Sequence, residues 1–68
     1  MSYFNYHATI KKLIADGKLI GYKFVGEYHG ISPALLLFFD DAKHSIMPVR
    51  EHRFQEYLRI IEKQNPTA

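Results

Sequence analysis

Ala34-Leu35-Leu36-Leu37-Phe38-Phe39-Asp40, the stretch ALLLFFD, decides the fold of this chain. From Ala34 to Phe39 the apolar run is unbroken and shows neither helical nor alternating spacing. It is far short of the roughly 20 residues a membrane-crossing helix needs. Turn chemistry bounds it on both sides. His29-Gly30-Ile31-Ser32-Pro33 precedes it, where glycine permits positive φ and proline keeps its predecessor extended. Asp40-Asp41-Ala42-Lys43 follows. A short apolar run between turns reads as a strand buried on both faces, so residues 34–40 belong at the centre of a sheet.

The neighbouring segments supply the rest of the sheet. Residues 18–28 predict a strand, because Ile20, Tyr22 and Phe24 alternate with Gly21 and Lys23. Gly21 and Gly26 mark possible positions for a bulge or bend. Residues 44–49, HSIMPV, predict a shorter strand that lies at an edge or ends at Pro48, which has no N–H to donate. Consecutive strands tend to be neighbours, so the three form an antiparallel meander.

Helices flank the strands. Over residues 3–16, Tyr6, Ile10, Leu13 and Ile14 fall on one helical face. Ser2 is the expected N-cap and Gly17 the residue that ends the helix. Over residues 50–64, Phe54, Tyr57, Leu58 and Ile61 repeat the pattern. Pro66 stops this helix, and residues 65–68 form a tail outside a single domain of residues 1–64. The predicted class is α+β, in the order α-β-β-β-α. Two helices on one face would leave the other face of residues 34–40 apolar and open. The pattern therefore predicts one helix on each face or pairing of two copies through the open face, and the second is preferred.

Length sharpens that preference. With 68 residues the chain buries only about 60% of its unfolded surface and has a small core. It has no cysteine, which removes disulfides and thiolate metal sites and leaves association as the usual staple. The net charge of +2 is a mild basic bias. The N-terminus lacks the basic-then-apolar pattern of a secretory leader, so the expectation is a soluble cytoplasmic protein that does not enter membranes.

Met47-Pro48-Val49-Arg50-Glu51-His52-Arg53 is the most informative polar stretch. Arg50 and Arg53 sit at a helix start, where the macrodipole favours acids, and no Ser, Thr, Asp or Asn stands at the expected cap. Two guanidinium groups beside free N–H groups suit a phosphate or carboxylate. The simpler reading pairs Arg50 and Arg53 with Asp40, Asp41 or Glu56. If an anionic partner is bound, the candidate residues are Arg50, His52 and Arg53, joined by Lys43 and His29.

Other chemistry finds less support. His7, His29, His44 and His52 show no metal-ligand spacing, so no metal or cofactor is expected. Ser2, Ser32 and Ser45 sit in no nucleophile motif, and no glycine loop cradles phosphate. No catalytic residue is assigned. Tyr22, Lys23, Phe24 and Tyr28, with Lys11, Lys12 and Lys18 and together with Arg50 and Arg53, compose an alternative nucleic-acid surface. A small metal- or phosphate-handling enzyme built from His29, His52 and Arg50 is the other alternative.

The segments YFNYH (residues 3–7), YHGISPALLLFF (28–39) and MPVREHRFQEY (47–57) resemble a family of small bacterial proteins, some labelled thermostable hemolysin. The resemblance covers nearly the whole chain and brings no catalytic residues. The label implies membrane lysis, for which the sequence offers no spanning segment. The family-like turns, His29 to Pro33 and Pro48 to Arg53, flank the central strand and could lie close in space. The reading as a whole is a non-catalytic interaction module that self-associates.

Overall fold

In the computed structural model, which describes residues 5–64, helix α1 (Tyr6–Ala15) leads into strands β1 (Leu19–Val25), β2 (Ala34–Phe39) and β3 (Ile46–Arg50). A single 3₁₀ turn, Glu51–Arg53, then opens helix α2 (Phe54–Gln64). The expected order α-β-β-β-α is the observed one, and the sheet is an antiparallel meander with β2 in the middle.

Both ends of α1 have local causes. Asn5 is extended and its side chain accepts from the Ala8 N–H at 3.0 Å. The expected cap, Ser2, lies outside the described residues, as does the tail at 65–68. At the far end Gly17 takes φ 77°. Its N–H reaches the Ile14 carbonyl, and the Lys18 N–H reaches that of Leu13, both at 3.0 Å. That pair of bonds is a Schellman motif, closed by the residue type that enters the left-handed region most readily.

The register between β1 and β2 slips between Leu19 and Gly21, placing a bulge at Ile20 beside one of the glycines that marked it. The β1–β2 connection is pinned locally. Tyr28 and Ile31 exchange backbone bonds of 2.8 and 2.9 Å around His29 and Gly30, both at positive φ. The Gly30 N–H donates to Glu27 at 2.7 Å, and the Ser32 hydroxyl to the Gly26 carbonyl at 2.9 Å.

Alternation along β2 places the core. Leu35, Leu37 and Phe39 meet Met47 and Val49 of β3, Ile10, Leu13 and Ile14 of α1, and Tyr57 of α2. Each fully buried leucine there contributes about 2 kcal/mol. Both helices therefore lie on one face of the sheet, and the alternative of one helix on each face is not the observed one. The other face does not become a large open apolar surface at its centre. Ala34 and Leu36 are buried there too, at 0% and 6% exposure. The register sets Leu36 between Lys23 and Pro48, a long aliphatic stem and a ring. Only toward the Phe38 end does this face open, where Ile46 is 40% exposed.

Candidate functional site

β3 carries Pro48 and Arg50 to the end of the sheet nearest the β1–β2 connection, since Arg50 pairs with Ala34. There the chain turns directly into the 3₁₀ turn, and α1 starts alongside. The Tyr6 hydroxyl donates to the Pro48 carbonyl across 2.6 Å, fixing the start of α1 to the edge of β3. Tyr6, His7, Ile31, Pro48, Arg50, His52 and Arg53 enclose a cleft of about 340 Å³. The segments His29 to Pro33 and Pro48 to Arg53 thus both contribute to one place.

The lining is basic on balance. Four of its side chains can carry positive charge, and none is a carboxylate. Arg53 is partly engaged, since its Nη1 donates to Glu56 at 3.0 and 3.3 Å. Glu56 in turn meets Lys11 Nζ at 2.6 Å. The hydrogen bond from Lys11, helped by the charge of Arg53, holds the Glu56 carboxyl below its usual range despite some burial. Arg50 and His52 are exposed, and their side chains make no hydrogen bond or ion pair with the described residues. Arg50 caps the 3₁₀ turn by position only, with no side-chain bond to it.

The aromatic hydroxyls in this region are held in fixed states. Burial, reinforced by Tyr28, pushes the Tyr6 phenol up to about 12, so it stays protonated as a donor. Burial, with the Glu56 charge, does the same to Tyr57, also to about 12. The Tyr57 hydroxyl lies 2.7 Å from His7 Nδ1. Burial and then the nearby Arg53 guanidinium push the His7 pKa down, so the ring stays uncharged at neutral pH. In the tautomer that accepts at Nδ1, Nε2 carries the hydrogen.

No protein-family model, curated protein or solved structure matches this chain.

The sequence-derived residues divide by position. Arg50, His52 and Arg53 come together in the cleft. Lys43 does not, because it precedes β3 while Arg50 ends it, and the strand alone spans about 13 Å. Its neighbour His44 is held by Asp41 at 2.9 Å, and Lys18 reaches the same carboxylate at 3.7 Å. The His44 hydrogen bond keeps the Asp41 carboxyl below its usual range. His29 sits in the turn at the cleft end of the sheet, but its ring packs edge-on against Tyr28, at 4.4 Å, and does not line the cleft. The pairing of Arg53 with Glu56 is present, whereas Arg50 pairs with neither aspartate.

Sequence reasoning missed Tyr6 and His7 as lining residues. Tyr6 had been read only as part of a helix and His7 only among histidines without metal-ligand spacing, and no spacing rule connects them to Pro48 or Tyr57. Among the described residues, no group of three or more His, Asp or Glu side chains is placed to hold a metal ion. No helix among them is long and apolar enough to cross a membrane.

Proposed function

We propose that this chain is a small non-catalytic binding module that holds an anionic group of a partner in the cleft beside Arg50. The observation that carries this reading is the charge of the lining: Arg50 and Arg53, with His52 beside them and no acidic side chain among the lining residues. Arg50 and His52 are also uncommitted within the described residues. Guanidinium groups recognise phosphate and carboxylate through paired N–H donors. A cleft of about 340 Å³ stands at the small end of ligand sites, which suits one charged group presented by a larger partner.

The lining also favours binding over catalysis. It offers no serine, threonine or carboxylate, and its tyrosine is held protonated. Beyond Arg50 and Arg53, the nucleic-acid alternative draws on residues that stand apart from the cleft. Tyr22 and Phe24 belong to β1, across the sheet from the β3 edge. Lys11, Lys12 and Lys18 are engaged with Glu56, Asp16 and Asp41.

Titration of the ¹⁵N-labelled chain with inorganic phosphate, and separately with a single-stranded oligonucleotide, tests the reading. Phosphate is expected to move the amides of Tyr6, His7, Ile31 and residues 50–53, and Arg50→Ala is expected to remove the effect. An unmoved spectrum with both ligands would overturn the proposal. Shifts along Tyr22 and Phe24 that fade steeply with salt would replace it with the nucleic-acid reading.

A further inference from the structure

The two edges of the sheet are in different states, and this bears on a surface separate from the cleft. The β3 edge is blunted. Pro48 has no N–H, and its carbonyl is taken by Tyr6 at 2.6 Å. The β1 edge is not. It runs for seven residues without proline, and no described residue bonds to its outer side. Ile20, Tyr22 and Phe24 on this strand are 70%, 48% and 50% exposed. An open edge with exposed large apolar groups is a template for another strand.

Helix α2 extends this surface. The Phe24 ring meets Phe54 at 5.3 Å. A groove of about 500 Å³ lies between Tyr22 and the outer side of α2, lined by Gln55, Leu58, Arg59, Ile61 and Glu62. Of the apolar residues on α2 only Tyr57 is fully buried. Arg59 and Glu62 are exposed and form no ion pair with the described residues.

We propose that a second copy of this chain docks here. β1 pairs antiparallel with its counterpart about a two-fold axis near Tyr22, giving one six-stranded sheet with the two α2 helices side by side. A two-fold interface requires a patch that complements itself. An antiparallel strand edge does so by geometry. The charges on α2 do so as well: reversing the helix sets Arg59 of one copy against Glu62 of the other, twice. Tyr22 borders the same groove as both residues, so one axis serves the strands and the charges together. The surface differs from the helix-free face, whose central residues are already buried.

Light scattering and sedimentation of the full chain over a wide concentration range test this. The expected result is a dimer. Arg59→Glu and Glu62→Arg alone should each raise its dissociation constant about tenfold or more, by setting like charges together. The double exchange should restore it. Tyr22→Lys should leave a monomer with an unchanged helical spectrum, which separates lost docking from lost folding. A monomer at every concentration overturns the proposal, and so does a dimer indifferent to these substitutions. A double exchange as weak as the single ones overturns the two-fold arrangement.

Discussion

The Tyr57 hydroxyl sits 2.7 Å from His7 Nδ1, although the two residues are fifty positions apart. Tyr57 is fully buried and brings its one polar atom to the first turn of α1, so a single side chain both fills the core and ties the helices together. Tyr57→Phe keeps the ring and removes the tie. The expected cost is about 1 kcal/mol. In a domain this small that lowers the melting temperature by roughly 4–8 °C, readable by circular dichroism. An unchanged melting temperature would show that the hydroxyl contributes nothing.

His7 predicts a pH dependence. Its pKa is lowered in the folded chain, mainly by burial and then by Arg53. Below its ordinary value of 6.5 the unfolded chain binds this proton more readily than the folded one. The contribution of His7 is therefore full above 6.5 and is lost as the pH falls from there through the folded-state value. Denaturant midpoints measured across this range should decline toward acid, and less so in His7→Gln. A proton resonance of His7 titrating above 6.5 would contradict the assignment.

Gly17→Ala isolates backbone strain. Nothing lies within 4 Å of the position a new Cβ would take, so the penalty comes from φ 77° alone. The expected loss is about 1 kcal/mol in urea unfolding. Gly17→Asn should lose less, since asparagine enters this region more easily. Equal losses for the two would mean that something other than φ sets the cost.

Leu37→Ala should be the most damaging of these changes. Leu37 is fully buried at the centre of β2, between Tyr22 and Met47 in the sheet. Truncating such a leucine costs about 2–5 kcal/mol, a large share of the stability of a small domain. Amide exchange should show the variant largely unfolded or opening throughout. Protection equal to that of the natural chain would mean that the site collapses around the smaller residue.

Local chemistry made the elements legible. The apolar run at 34–39 became the central strand because turn residues bound it on both sides. Gly17 ended α1 because few other residues accept its backbone conformation. Gly21 stands beside the bulge at Ile20, though not itself at positive φ. The 3₁₀ opening of the second helix was not legible, since a 3₁₀ turn and an α-turn share the same apolar spacing over so few residues. Arg50, His52 and Arg53 were legible as a basic group because they are neighbours in sequence.

By itself, then, the sequence determined the order of the elements, their approximate ends and the central place of β2. These follow from interactions within a few residues and from the alternation of apolar side chains. Only the tertiary structure decided that both helices share one face, that Tyr6 and His7 complete the cleft around Arg50, and that β1 keeps its edge open while β3 does not. Those outcomes depend on where the chain returns. The Tyr6–Pro48 and His7–Tyr57 bonds join residues 42 and 50 positions apart, a separation at which neither periodicity nor propensity carries information.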